Sequence, residues 1–276
     1  MTIKRIGIIY HPRHGGAASL AEKLCQMARA SGADVWLESA WEAGNLKTKI
    51  PDSGLVITVG GDGTILRAAR AIMPQSIPLL GIKTGQLGFM TELTVAEALE
   101  RLPEALAGGG WYDARALLEA RTSQPGTEVF FALNDVVVAR GPVARLIQVA
   151  VAIDDGQSST YRADGVIVAT ATGSTAYSLA AGGPVLYPVS QDMVLTPILP
   201  HPDQGYSYVL PPSSIIRLTV GRAQQASLTV DGHVSIPLNS GDSVEVRCSQ
   251  EVFTFLRLHP KSPLSARLQN DFKENC

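Results

Sequence analysis

Cysteine is scarce in this chain. Cys25, Cys248 and Cys276 are the only three, and they stand far apart. No pair has metal-ligand spacing and the number is odd, which sets aside a disulfide framework and a cysteine-held metal. Charge of one sign is missing too: a net charge of −2 offers no broad basic field, so no nucleic-acid partner is expected. No apolar run reaches about 18 residues, so no membrane span is expected. The first residues, Met1-Thr2-Ile3-Lys4-Arg5, carry no signal-peptide cleavage pattern. Internal repeats and low-complexity tracts are lacking. So are the two commonest nucleotide fingerprints. There is no Gly-x-x-x-x-Gly-Lys-[Ser/Thr], since Gly81-Ile82-Lys83-Thr84 has the Lys-Thr without the upstream glycine. Nor is there a Gly-x-Gly-x-x-Gly. The expectation is a soluble, cytoplasmic protein of a reducing compartment, with no nucleic-acid or membrane partner.

The chain has 276 residues, 45% of them apolar, enough for one large domain or two ordinary ones. It is organised around the stretch from Leu55 to Thr64, LVITVGGDGT. A β-branched run enters a glycine cluster, and a helix is expected over 65–71. A buried strand, a tight turn and a helix start present backbone N–H groups to phosphate. Glycine lets the ligand approach the backbone. Asp62 does not fit a simple phosphate cradle, because a carboxylate repels phosphate. It fits an acid that handles a proton or a metal beside the phosphate. An ordinary strand-to-helix turn accounts for the same five residues equally well.

Strands at 5–10, 33–37, 55–59 and 77–82 alternate with helices at 17–30 and 95–107, which predicts an α/β domain with a parallel sheet. After Trp111 the pattern becomes strands separated by turns, at 114–122, 129–139, 146–153, 165–170, 215–220, 227–230, 244–248 and 252–258. That predicts an all-β, sandwich-like second domain. The expected divisions are 1–112 for the α/β domain, 113–250 for a β-rich dinucleotide-binding domain, and 251–276 for a C-terminal segment returning to the first domain. Residues 262–276 read as a polar, partly ordered tail.

Other stretches carry possible chemistry. His11 and His14 invite a metal, but no further acid or cysteine is near, so a polar turn is favoured and no metal ligand is assigned. Arg13 is the better candidate there, as a phosphate neighbour. Arg67, Lys83 and Arg162 are the other cations near the motifs. The run Thr170 to Pro184, TATGSTAYSLAAGGP, is rich in hydroxyls and small residues. It leaves room for a flat ligand, with Tyr177 free to stack or hydrogen-bond; a capped helix start is the alternative. Asn134-Asp135 interrupts an apolar strand and needs partners if buried; a bulge or strand end explains it as well. Arg162-Ala163-Asp164-Gly165 reads as a surface ion pair or turn. Asp231-Gly232-His233 reads as a hairpin turn.

In this order these stretches resemble the NAD kinase family: Gly60-Gly61-Asp62-Gly63-Thr64, Gly81 to Phe89 (GIKTGQLGF), Leu133-Asn134-Asp135, Asp164-Gly165 with Thr172 to Ser178 (TGSTAYS), and Asp231-Gly232-His233. The resemblance covers about residues 5–260. Gly-Gly-Asp-Gly-Thr is shared with diacylglycerol- and sphingosine-kinase-like proteins, whereas the TGSTAY stretch is more specific. The resemblance implies an active site between an α/β and a β-rich domain. It implies phosphoryl transfer from ATP or polyphosphate to the adenosine ribose 2′-hydroxyl of NAD, with Mg²⁺ or Mn²⁺, in a homodimer or homotetramer. By position it implies Asp62 as general base. Gly60, Gly61, Gly63 and Thr64 become the phosphate turn, beside Arg13 and Arg67. Phe89 becomes an aromatic neighbour of the adenine. Asn134 and Asp135 would position the adenosine half. Arg162, Asp164, Thr172, Thr175, Ala176 and Tyr177 would line the dinucleotide pocket, with Asp231 and His233 at its edge. A lipid kinase and a non-catalytic NAD(P) sensor are the alternatives. Three departures stand out: Asp135 where the family usually has Glu, Lys83-Thr84 and Gln86 where it often has Asn-Arg and Asn, and Tyr206-Ser207 where many bacterial members have Arg-Pro.

Overall fold

A computed structural model describes residues 3–85, 88–126, 128–142, 145–201, 205–221 and 225–261. Gln86, residues 202–204 of the 200–207 loop, Cys276 and the expected polar tail lie outside the described residues. The chain divides into two compact units, one holding residues up to Ala114 and from Phe253 onward, the other Arg115–Val252.

The first unit opens with β1 (Arg5–Tyr10), α1 (Ala17–Ala30), β2 (Asp34–Ser39), α2 (Ala43–Lys49), β3 (Leu55–Val59), α3 (Asp62–Ile72), β4 (Leu79–Ile82) and α4 (Val95–Leu106). Strand order is β2-β1-β3-β4, all parallel. β3 is buried at all five positions, as a β-branched run covered on both faces should be. Helices α1 and α4 pack on one face through Leu20, Leu24, Ala98 and Leu102. Helix α4 is started by a capping box between Thr94 and Glu97. Helix α3 begins earlier than expected, at Asp62, so Asp62 and Gly63 already lie in its first turn. An acid there faces the positive end of the helix dipole. Thr64 is buried and does not cap the helix.

The chain continues through β5 (Trp111–Thr122), β6 (Phe130–Ala132), β7 (Asp135–Arg140), β8 (Ile147–Ile153), β9 (Ser159–Ala163), β10 (Gly165–Ala169), a 3₁₀ turn (Gly173–Thr175), α5 (Tyr177–Ala180), β11 (Met193–Ile198), β12 (Tyr208–Leu210), β13 (Ile215–Val220), β14 (Ala226–Val230), β15 (Val234–Leu238) and β16 (Ser243–Arg257). In the second unit a six-stranded antiparallel sheet, β12-β11-β10-β7-β14-β15, faces a second layer that includes β13, β8 and β9. Val136, Val138, Val166 and Val168 of one layer meet Val149, Val151, Ile216 and Leu218 of the other. The six-stranded sheet is covered on its outer face too, by Ala181 and Leu186 after α5.

Two strands expected to be single or separate are not. The run 129–139 is broken into β6 and β7 at Leu133-Asn134, and 244–248 and 252–258 are one strand, β16. Its last residues belong to the first unit, where Phe255 pairs in parallel with Leu79 of β4.

Candidate active site

In the first unit, β3 delivers the chain to Gly60, and the extended Gly61 is the N-cap of α3. Gly60 packs so closely on Thr64 and His11 that a Cβ would lie 2.3 Å from Thr64 Oγ1. The Asp62 carboxylate is cupped by the segment 88–90. The Phe89 amide donates to Oδ2 at 3.0 Å and the Met90 amide to Oδ1 at 3.3 Å. Gly88 leaves the necessary room, because a Cβ there would stand 2.2 Å from Oδ1. Burial raises the Asp62 pKa above the ordinary carboxylate value, against the opposing pull of these amides and of the Arg257 charge. The result is a carboxylate fixed in orientation and more basic than a solvated one. Phe89 thus meets Asp62 through its backbone.

Around the turn, the Arg67 guanidinium lies 4.3 Å over the Trp41 ring, and His11 packs edge-on against Trp41 at 4.5 Å and against His14 at 5.7 Å. The His11 pKa is lowered, by burial first and then by the nearby charges of His14, Arg13 and Arg67. His11 also packs against Gly60. Among the described residues no group of three His, Cys, Asp or Glu could hold a metal.

In the second unit three motif stretches lock together. Asp231, at φ +48, and Gly232, at φ +66, turn the β14–β15 hairpin. The Asp231 side chain is buried and receives three backbone amides, from Leu133 at 2.8 Å, Asn134 at 2.8 Å and Asp135 at 3.0 Å. It is therefore more than the turn the sequence suggests. It holds the break between β6 and β7. On the other side, Thr170 Oγ1 donates to the Leu133 carbonyl at 2.6 Å and accepts from the Gly173 amide at 3.0 Å. Gly173 is pressed against Asn134, whose carbonyl oxygen would lie 2.0 Å from a Cβ. Arg115 donates to Thr172 Oγ1 at 3.3 Å, and Thr175 Oγ1 donates to the Thr172 carbonyl at 3.1 Å. Ala176 is the N-cap of α5, and Tyr177 at its start is 46% exposed. His233 Nδ1 turns back onto the Asp231 carbonyl. Asp164 pairs with Arg140 at 3.0 Å, a partner outside the Arg162-Ala163-Asp164-Gly165 stretch.

The two acids of this constellation are both pushed up by burial, Asp135 to about 7, with the Asp231 charge adding to the effect, and Asp231 to about 6 despite its three amide donors. Two buried carboxylates sharing a site cannot both ionise freely. Asp231 has the donors, so Asp135 is the one that keeps its proton longer.

Hydroxyl and amide oxygens in the motifs are left with unmet capacity. Thr64 Oγ1, Thr84 Oγ1 and Asn134 Oδ1 are buried without a hydrogen-bond partner. Such atoms are uncommon in a finished fold and common where a ligand completes it. Sequence reasoning named Thr170 only as the start of the hydroxyl run and passed over Arg115, Glu92, Asp113 and Arg257. The signal for Arg257 was present: a lone charge in the apolar run VFTFLRL.

A glycine turn at a helix start with a half-buried acid beside it, in an α/β unit joined to a β sandwich, defines a nucleotide-binding phosphotransferase fold. Comparison narrows the class. Residues 40–110 match the model of the ATP-NAD kinase N-terminal domain and residues 133–258 that of the ATP-NAD kinase C-terminal domain. An NAD kinase of Dehalococcoides mccartyi is 48% identical over 99% of this chain and 97% of its own length. One from Chloroflexus aggregans is 40% identical over 96% and 97%. Among solved structures, an Archaeoglobus fulgidus NAD kinase in complex with ATP superposes with a TM-score of 0.77 at 25% identity, covering 98% of both chains. A yeast NADH kinase complexed with NADH shares the fold, with a TM-score of 0.88 at 23% identity over 99% of this chain and 88% of the other. The chain belongs to the NAD kinase family.

Proposed function

We propose that this protein phosphorylates the 2′-hydroxyl of the adenosine ribose of NAD, giving NADP, with ATP as donor and Asp62 as general base. The observation that carries the reading is the Asp62 carboxylate, held by two amides in the first turn after Gly60-Gly61. A secondary hydroxyl is a poor nucleophile near neutral pH, and a half-buried, oriented carboxylate can accept its proton as attack proceeds. The amides of Gly61 and Gly63 and the cations Arg13 and Arg67 suit the donor phosphates, with the unpartnered Thr64 hydroxyl beside them. Transfer then depends on positioning and charge neutralisation. The locked constellation of Asn134, Asp135, Thr172, Thr175, Ala176, Tyr177, Asp231 and His233 suits the dinucleotide, whose hydrogen bonds would meet the buried Asn134 oxygen. Phe89 beside the adenine, and Arg162 and Asp164 at the pocket, complete the assignment.

A divalent metal, Mg²⁺ or Mn²⁺, fits in one way. The described residues offer no ready-made cage, so the ion would be held chiefly by the donor's phosphates and by water. When bound it neutralises phosphate charge. NADP formation from NAD and Mg-ATP, followed by mass spectrometry, tests the whole reading. It is expected to stop with EDTA and resume with Mg²⁺ or Mn²⁺. Nucleotide binding without turnover, with either ATP or polyphosphate, would replace the kinase by a sensor.

The exposed apolar residues Leu199, Tyr206, Tyr208 and Val209 suit a homo-oligomeric contact, a dimer or tetramer that analytical ultracentrifugation would reveal. The free thiols Cys25 and Cys248 suit a reducing, cytoplasmic setting. No helix among the described residues is long and apolar enough to cross a membrane.

A further inference from the structure

The segment that cups Asp62 is gripped from behind by a buried ionic cluster that no motif includes. Met90 gives its amide to Asp62, and its carbonyl accepts from Arg257 Nη1 at 3.0 Å. The same nitrogen reaches the Thr91 carbonyl at 3.5 Å. Within the loop, the Thr91 hydroxyl bridges the Gly88 amide and carbonyl, each at 3.3 Å. Arg257 is itself fixed from three sides. Nε donates to Asp113 of β5 at 3.1 Å, Nη1 to Glu92 at 3.2 Å, and the guanidinium lies 4.6 Å from the Phe255 ring centre. Glu92 Oε1 in turn takes the amides of Leu258 at 2.9 Å and His259 at 2.7 Å. His259 bridges Glu92 at 3.2 Å and Glu97 of α4 at 3.1 Å. Arg257, Asp113 and Glu92 are all buried.

A cluster built only for stability has a cheaper form, because well-packed apolar residues of similar volume often match a buried ion pair. This one is aimed. Its cation ends on the carbonyls of the residues whose amides orient Asp62. It also sets a positive charge near the Asp62 carboxylate, and that charge opposes the rise in the Asp62 pKa caused by burial.

We infer that Arg257 is a positioning residue for phosphoryl transfer, acting through residues 89–91 to hold the Asp62 carboxylate in its working orientation. This rests on the reading of Asp62 as the base, and the test has a part that needs no turnover. Protein labelled with ¹³C-aspartate is titrated by NMR, with the Asp62 signal assigned by its loss in Asp62→Asn. In Arg257→Gln the Asp62 midpoint is expected to move to higher pH. In Glu92→Gln, which removes an anion beside Arg257 and keeps its shape, it is expected to move to lower pH. Opposite directions are what charge requires and what general loosening does not produce.

Kinetics give the second arm. Arg257→Gln is expected to lower kcat about 10–100-fold, with the KM values for NAD and ATP changed little, because misplacement of a reacting group acts on the chemical step. The acid limb of its kcat–pH profile should move upward with the NMR midpoint. Arg257→Lys should restore the limb and much of kcat. A folded Arg257→Gln with wild-type kcat and an unmoved Asp62 midpoint overturns the inference. So does an equal loss in Lys and Gln variants without a shift. Should Arg257→Gln fail to fold, Glu92→Gln decides alone: a downward shift supports the inference and any other result overturns it. Wild-type protein that forms no NADP would overturn the proposed function while leaving the titration arm to stand or fall separately.

Discussion

At the scale of single residues, environment matters more than identity. Asp62, Asp135 and Asp231 are three aspartates in glycine- or asparagine-flanked settings, and only their surroundings separate them. Asp62→Asn should lower kcat about 10²–10⁴-fold while the NAD dissociation constant stays close to wild type, since loss of a general base is felt in the transition state. Separate measurement of the two constants checks it, and an unchanged kcat would remove Asp62 from the mechanism. For Asp135 the consequence is a pH dependence of stability. Its pKa rises on folding from the ordinary 3.8 to about 7, so the folded chain binds this proton more tightly than the unfolded chain. The contribution is therefore full below the unfolded value and is lost as pH rises to about 7. Asp135→Asn should narrow the difference in Tm between pH 5 and pH 8 and raise Tm at pH 8, by about 2–4 °C for each kcal/mol recovered. Calorimetry of both proteins at both pH values isolates the residue from the surface carboxylates, and an unaltered gap would assign the proton elsewhere. The sequence announced Asp62 and Asp135 as anomalies, an acid in a phosphate-type turn and a polar pair in an apolar strand. It could not announce which partner each would meet, because partners such as Met90 and Asp231 are distant in the chain.

Among the elements, those with one strong local pattern were read almost to the residue. β1, α1, β3 and β13 fall where their apolar periodicity placed them. Others were not: α2, β9, β11, β12 and β15 were passed over, β11 although it is as long as β1 and wholly buried. The instructive case is the break between β6 and β7. Its apolar residues predict one strand and its polar pair Asn134-Asp135 a bulge or strand end; the strand end is what forms, enforced by tertiary partners, Asp231 on one side and Thr170 with Gly173 on the other. Asp231→Ala would leave three buried amides without an acceptor, each costing about 1–3 kcal/mol. The variant should lose most of the stability of the second unit, seen as an early transition in a denaturant melt. Gly173→Ala should do the same by steric means, because the new methyl meets backbone at Asn134 and not a side chain that could swing away. Wild-type melting of either variant would show that the constellation is looser than its hydrogen bonds imply.

For the whole molecule, the change from α/β to all-β character was plain from the point where helical periodicity stops. What the pattern alone could not give is the long single course of β16, whose turn-like middle, Cys248-Ser249-Gln250-Glu251, interrupts the apolar run without interrupting the strand. Its end carries Phe253, Phe255, Leu256 and Arg257, all buried in the first unit. A chain ended after Val252 should therefore lose the fold of the first unit, bind a hydrophobic dye and form no NADP; a cooperative melt of that unit in the shortened chain would contradict this. The same feature has a meaning for biosynthesis. At roughly 5–20 residues per second, a ribosome completes residues 1–114 and then spends on the order of ten seconds making the second unit before the closing strand emerges. Throughout that interval β4 is an open sheet edge, and open edges recruit other strands. The newborn protein thus passes through a stage in which its first unit is fully synthesised yet unsealed, and its need for chaperones should be concentrated in that stage and end when the last strand docks.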